Sequence, residues 1–356
     1  MRKATPKPFL ALISLLFLGM ALFAYSWFVV VGFASTPVAP PEAVTLEVTP
    51  GTSLAALSAQ LEAAGVVEAR ETPFGRNLFY LWAHKLEQAG PRIKAGSYLF
   101  EGPANPYEVL ETLTEGRVRT LTLTLPEGKR LDELAAIFEA SGLFSAEAFL
   151  KAARDPALAK QLGVPHDSFE GYAFPDTYTF ALGLSPAQVL EHMVSRFEAA
   201  WAAAEAQRAP GVKLEKHEAV TLASIIERET GSAPERPRIS CVFHNRLRDG
   251  WRLQTDPTVI YAKILRGAWD GNITKADLRF PHPYNTYHIY GLPPGPIAGP
   301  GEAALKAALN PLECGDFFFV SRNDGTHIFC DTLDCHNAAV AKWQVRYHRE
   351  RRGRGG

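Results

Sequence analysis

The sequence carries no excess of basic charge: 37 Lys and Arg stand against 38 Asp and Glu, a formal net charge of -1. Nucleic-acid binding would call for a clustered basic face, so no nucleic-acid partner is expected. The one uneven stretch is the end of the chain, where Arg349, Arg351, Arg352 and Arg354 read as a basic disordered tail over residues 349–356. Cysteine is scarce, with Cys241, Cys314, Cys330 and Cys335 alone. Cys330-x4-Cys335-His336 lacks the spacing of a standard zinc site, and no metal or other cofactor is expected. The last three cysteines lie near enough in sequence for one disulfide in an oxidising compartment, which leaves Cys241 as a buried free thiol. Charge is missing altogether from residues 8–41.

That last absence says most. Residues 9–33 are almost wholly apolar, more than the roughly 20 residues a helix needs to cross a bilayer. A cleaved signal peptide has an apolar region of only about 7–15 residues, so a membrane anchor is the better reading, although Ala34-Ser35 leaves cleavage open. Arg2, Lys3 and Lys7 precede the run, and the next basic residue is Arg70. This asymmetry puts residues 1–8 in the cytoplasm and the remainder outside it, as expected of a single-pass protein of the cytoplasmic (inner) membrane.

Residues 34–43 are rich in Pro and small side chains and read as a linker that lifts the chain off the bilayer. Val44, Leu46 and Val48 then alternate as in a half-buried strand. Thr52 or Ser53 can cap a helix striped by Leu54, Leu57 and Leu61, which Gly65 stops. The pattern returns. Gly51, Leu54, Leu57, Leu61, Glu62 and Gly65 recur at constant offset as Gly128, Leu131, Leu134, Phe138, Glu139 and Gly142. Gly96-Ser-Tyr98 with Asn105-Pro106, and later Gly171-Tyr172 with Ser185-Pro186, follow each copy, and both pairs carry a helix-start signature. Either duplication or the general likeness of strand–cap–helix units accounts for this. The fold class is α+β: a small module over residues 44–118 and a larger mixed α/β domain over residues 119–348.

Further on, helices are expected over residues 187–207, 217–230 and 238–248, then one opening at Thr255 or Asp256 with Pro257 at its first position. Two short strands flank an Asn323-Asp-Gly325 turn, and a last helix covers residues 336–347. The helix over 217–230 carries two acids. Leu222, Ile225 and Ile226 surround Glu229, whereas Val220, Ala223 and Ser224 surround Glu227. Periodicity would bury Glu229 more deeply and leave Glu227 more room for a ligand. A catalytic acid wants partial burial to raise its pKa, and the helical wheel does not choose between them.

Six motifs in this region resemble, in order, those of the YceG-like endolytic murein transglycosylases. They are Ser224-Ile-Ile-Glu-Arg-Glu229, Phe243-His-Asn-Arg-Leu247, Leu253-Gln-Thr-Asp-Pro-Thr-Val-Ile-Tyr261, Tyr284-Asn-Thr-Tyr287, Gly291-Leu-Pro-Pro-Gly-Pro-Ile297 and His336-Asn337. Lys94-Ala-Gly-Ser-Tyr98 and Phe169-Glu-Gly-Tyr-Ala-Phe-Pro-Asp-Thr-Tyr178 match upstream. The resemblance implies a single-pass enzyme with a LysM-like module over residues 44–118. It implies cleavage of the β-1,4 bond between N-acetylmuramic acid and N-acetylglucosamine in nascent peptidoglycan strands, with 1,6-anhydro ends left behind. It assigns catalysis to the first acid of its motif, Glu227, which leaves Glu229 as a supporting or structural residue. Gln254, Asn245 and Asn285 are candidates to orient hydroxyl and N-acetyl groups, and Tyr284 and Tyr287 to face sugar rings. Asp256 is a further substrate-binding candidate; the structural alternatives are a turn bond for Asn245 and a helix cap for Asp256, and in a muramidase-type hydrolase Asp256 would be the second carboxylate. Gly291 to Pro296 is expected to wall the cleft. Partners would be glycan strands, with peptidoglycan synthases or division proteins beside them, and the non-enzymatic alternative is a glycan-binding scaffold.

Overall fold

A computed structural model of the chain describes residues 7–49, 51–70, 77–85 and 87–346. Arg2, Lys3, Tyr347 and the basic tail 349–356 lie outside the described residues. The chain divides into two compact units, one within residues 1–121 and 179–184, the other within 122–178 and 185–356.

The first unit begins with α1 (Lys7–Ser35). Its stretch Ala11–Ser35 is long and apolar enough to cross a membrane, with a mean hydropathy of 2.1 and side chains such as Phe17, Phe23 and Phe28 facing outward. A helix apolar all round has no use for water on any side. Its C-terminal end does something the composition does not announce: Phe33 and Ala34 are 2% and 0% exposed within the unit's core. Val38 then exchanges both backbone hydrogen bonds with Ala104, at 2.9 and 3.0 Å. The expected loose linker over 34–43 is therefore a docked segment, because the burial of Phe33 and this bridge hold it down.

The unit continues as β1 (Val44–Val48), α2 (Leu54–Ala63), α3 (Leu78–Lys85), β2 (Gly96–Phe100) and α4 (Pro106–Glu115). β1 and β2 pair antiparallel with Leu46 opposite Tyr98, so the inward residues of both strands meet Leu57, Phe79 and Leu113 in one core. Local chemistry places the helices. Ser53 caps α2 by accepting from the Ala56 amide, and Asn105 and Glu108 form a reciprocal capping box at the start of α4, with Pro106 just inside.

β3 (Thr120–Thr124) and β4 (Thr177–Ala181) pair with each other. Between them lie α5 (Leu131–Ser141), α6 (Ala146–Ala153) and α7 (Pro156–Gln161), and α8 (Pro186–Glu205) follows. The recurrence seen in the sequence thus returns in three dimensions as strand, helices, strand, capped helix. Gly51 and Gly128 both take positive φ, 86° and 72°, ahead of the striped helices. Ser185 and Gln188 repeat at α8 the capping box that Asn105 and Glu108 make at α4.

The rest of the second unit is built on α9 (Lys216–Glu229), whose residues from Ala219 to Ile226 are all buried. Fully burying Leu222, Ile225 and Ile226 stabilises by about 1.5–3 kcal/mol each. α10 (Arg236–Arg248), α11 (Asp256–Leu265) and α12 (Glu302–Leu309) pack against it, and α12 also packs on α8. β5 (Phe318–Ser321) and β6 (His327–Cys330) form the expected antiparallel hairpin, with Asn323 at φ 63° in the turn. α13 (Leu333–Val340) closes the described chain, running on as a wider turn through Ala341–Arg346. Among its described residues the unit is mixed α/β, with helices dominant and its strands in two-stranded sheets.

Cysteine pairing differs from expectation. Cys241 is not a free thiol: α10 brings its Cα to 6.2 Å from that of Cys314, and the two are bonded, as are Cys330 and Cys335. By loop-closure entropy the pairs, 73 and 5 residues apart, stabilise by about 4 and about 2 kcal/mol. In urea denaturation, replacing Cys241 and Cys314 with alanine is expected to lower the midpoint more than the same change at Cys330 and Cys335. Equal shifts would contradict the loop-length account.

Candidate active site

Glu227 and Glu229 leave the end of α9 in different directions and into different surroundings. Glu227 has a side chain only 5% exposed, ion-paired with Arg236 at 2.7 Å. Its other oxygen accepts from the Gly301 amide at 3.1 Å, at the N-terminus of α12, where the helix dipole favours negative charge. Glu127 stands 3.7 Å from the same Arg236. Burial, and then the charge of Glu227, push the Glu127 carboxyl above its ordinary value, while Arg236 pulls the other way. A β-carbon at Gly301 would fall 1.8 Å from Glu127 Oε1, so a side chain there would displace the Glu127 carboxyl from this position. The room expected beside Glu227 is filled by protein: Arg236, the Gly301 amide and the neighbouring Glu127 occupy it.

Glu229 instead lines an open cleft of ≈390 Å³ together with Gln254, Asp256, Tyr287 and Arg246. Phe318, Phe319, Leu333 and His336 supply the more apolar part of the lining. Burial raises the Glu229 carboxyl to about 7; nearby Asp256 adds to this, and the Thr255 hydroxyl and Arg246 oppose it. Thr255 donates to Glu229 Oε1. That bond explains why Thr255, although at the N-cap of α11, makes no side-chain cap: its hydroxyl is turned to the acid.

The walls of the cleft are tied together by backbone-directed bonds. Gln254 sits at φ 52°, a strained value for a residue with a side chain, and its amide donates to Thr286 O at 3.2 Å. Thr286 Oγ1 accepts from the Thr255 amide at 3.0 Å and bonds Thr258 Oγ1 at 2.8 Å. These bonds carry Tyr287 to Asp256, where its hydroxyl donates at 2.7 Å. Arg246 makes two more: its Nε donates to Phe317 O at 2.8 Å and its Nη1 donates to Leu253 O.

Of the residues singled out in the sequence, Gln254, Asp256 and Tyr287 meet at this cleft, with Glu229 and not Glu227. The others lie elsewhere. Asn245 is buried and donates to Cys314 O and Asp316 O, at 3.1 and 2.9 Å. Asn285, 0% exposed, donates to Asp277 O and Phe280 O at 3.2 and 2.8 Å. Both amides are spent on backbone carbonyls, which is a structural duty. Tyr284 packs on Tyr261, 4.9 Å between ring centres, beside Glu170. The Gly291–Pro296 stretch is not a wall of this cleft: Pro294 O accepts from His217 Nε2 at 2.8 Å, and Pro296 packs on Gly171 so closely that a β-carbon there would lie 2.4 Å away.

Sequence reasoning gave no role to Arg246, Phe318 or His336. The motif matches over 243–247 and 336–337 were the available signal, since two of these residues fall inside them. It also passed over Glu170, which is buried, accepts from Tyr261 Oη at 3.3 Å and from the Leu131 amide at 3.4 Å, and is raised by burial to about 8. The folded state therefore holds this proton more tightly than the unfolded chain, and stability falls as pH rises from about 4.5 to about 8. Glu170→Gln is expected to flatten that slope, by an amount on the order of a few kcal/mol across the window. Urea midpoints at pH 5 and pH 8 measure it; an unchanged slope would refute the assignment.

Among the described residues no group of three or more His, Cys, Asp or Glu is placed to hold a metal ion. The sequence model of the YceG-like family matches residues 46–342. The chain belongs to the YceG-like family. An endolytic murein transglycosylase of Bacillus subtilis (strain 168) is 29% identical over 316 residues, 84% of each chain. The protein of that name from Streptococcus pneumoniae serotype 2 is 27% identical over 337 residues, 84% of this chain and 58% of the longer pneumococcal one. A crystal structure of a YceG-like protein from Listeria monocytogenes superposes with a TM-score of 0.55 at 30% identity, over 83% of this chain and 99% of that one.

Proposed function

We propose that this protein is a membrane-anchored endolytic transglycosylase of peptidoglycan, and that Glu229 is its acid–base group. The observation that carries the reading is a carboxyl raised to about 7, at an open cleft with Gln254, Asp256 and Tyr287, in a chain whose relatives are named for this activity. Protonated Glu229 gives its proton to the glycosidic oxygen as that bond to C1 breaks and an oxocarbenium-like centre forms. The carboxylate then takes the proton of the muramoyl 6-hydroxyl as O6 closes onto C1, which leaves a 1,6-anhydro end. The nucleophile belongs to the substrate, so one carboxyl suffices. Thr255 fixes one oxygen of Glu229 by donating to it and leaves the other for the proton in transit.

The remaining features fit an extracytoplasmic enzyme. α1 serves as a single-pass anchor, and two disulfides suit an oxidising compartment. The β1-α2-α3-β2 order of the first unit, with its strands antiparallel, supports reading residues 44–118 as a LysM-like module. Asp256 in the same cleft favours one second reading, hydrolysis with Asp256 as the other carboxylate.

The test is to incubate purified glycan strands with the full-length protein in detergent and analyse the new ends by mass spectrometry. Anhydro ends are expected. Reducing ends would replace the proposal with the hydrolytic reading, and intact strands would overturn both.

A further inference from the structure

His336 lies in a stretch that carries no assigned role, yet it is held with more care than a surface histidine needs. It sits on α13, one residue after Cys335, whose bond to Cys330 ties the start of the helix to the end of β6. Its ring stacks on Phe318, with centres 4.9 Å apart and planes 29° from parallel. Phe318 in turn lies under the Arg246 guanidinium at 5.4 Å, and Trp251 packs edge-on to it. The half-buried ring forms part of the lining of the Glu229 cleft.

The two ring nitrogens differ. Nδ1 is buried and has no hydrogen-bond partner among the described residues. With Nδ1 buried, Nε2 is the nitrogen left to meet a ligand, and in the Nε2–H tautomer it donates. A second proton would have to sit on that same orphaned Nδ1. The charged and titratable groups lining the cleft are Glu229 from α9, Arg246 from α10, Asp256 from α11 and Tyr287 from the loop beyond it. Burial, and after it the Arg246 cation, hold the imidazole below its ordinary pKa. His336 is thus a neutral ring with a single donor at its accessible edge, in the more apolar part of the cleft lining.

We propose that His336 is a substrate-positioning residue that donates from Nε2 to the carbonyl oxygen of an acetamido group on the glycan strand. The proposal rests on the glycan-cleaving reading of the cleft. An amino sugar offers that combination, an apolar face for Phe318 and Leu333 and one strong uncharged acceptor. A proton on Nδ1 leaves the Nε2–H donor in place, so the contact persists at low pH and only the Glu229 acid fails, as pH rises through about 7.

The test uses the full-length protein in detergent, with wild type, His336→Phe and His336→Gln. His336→Phe keeps a ring on Phe318 without the donor; its kcat/KM on native strands is expected to fall about tenfold, mainly through KM. His336→Gln puts an amide donor near the position of Nε2, so it should stay within about threefold of wild type. On strands chemically stripped of their N-acetyl groups, wild type and His336→Phe should become equal. A tenfold gap that persists on stripped strands would overturn the proposal, as would a fully active His336→Phe or a His336→Gln as impaired as His336→Phe. Should His336→Phe not fold, His336→Ala takes its place in the same comparison on native and stripped strands. If wild type cuts no strands, the functional reading fails instead, and strand binding by wild type and His336→Phe still tests the contact.

Discussion

Glu229→Gln is expected to reduce strand cleavage about 10³-fold, the scale of a lost general acid and base. The substitution is nearly isosteric, and Thr255 can still donate to the remaining oxygen. What disappears is the proton for the leaving group and the base for the 6-hydroxyl. The pH dependence of the wild type should carry the same mark. Glu229 works only while protonated, so activity should decline as pH rises through about 7. Stability gives an independent check of sign. The folded-state pKa of Glu229 lies above its unfolded value, so the wild type loses stability as pH rises from about 4.5 to about 7. Glu229→Gln removes that loss. At pH 8 the variant should be inactive and no less stable than the wild type, a combination that misfolding cannot produce. Asp256→Asn is the companion measurement: if it is as severe as Glu229→Gln and the ends are reducing, the enzyme is a two-carboxylate hydrolase.

What could be read from the sequence is what is decided locally. Ser53, Asn105 and Ser185 begin helices through bonds to amides three residues on, so their spacing alone announces them. The hairpin around Asn323 and the apolar run of α1 are legible for the same reason. The choice between Glu227 and Glu229 is of another kind. On the helical wheel Glu227 has small neighbours and space beside it, but Arg236 and the Gly301 amide arrive from α10 and α12 to fill it. Glu229 has bulky neighbours on its own helix, and yet its carboxyl reaches a cleft whose other residues come from positions 246 to 336. Asn245 and Asn285 show the same limit. An asparagine suited to a hydroxyl is equally suited to a bare carbonyl, and only the fold shows that Cys314, Asp316 and Phe280 supply the carbonyls. Cys241 follows the same rule: its partner lies 73 residues away.

The second large effect concerns folding, and it separates the two acids. Arg236→Met is expected to cost about 3–5 kcal/mol, because it strands the buried Glu227 carboxylate next to Glu127 with no cation between them. Glu227→Gln should cost less. Its oxygen still accepts from the Gly301 amide, and Arg236 keeps Glu127 as a partner across 3.7 Å. Among the described residues Arg236 Nε has no hydrogen-bond partner, so this arginine depends on its carboxylates for compensation. The double variant should therefore be more stable than Arg236→Met alone, with a coupling of 0.5–3 kcal/mol, about what contacting residues show. Urea denaturation of the four proteins closes the cycle. Cleavage per folded molecule supplies the other axis: Glu227→Gln should remain within about tenfold of wild type, against about 10³-fold for Glu229→Gln. If Glu227→Gln is instead stable and inactive, the catalytic acid is Glu227, and its pairing with Arg236 is the resting state of the enzyme rather than a scaffold.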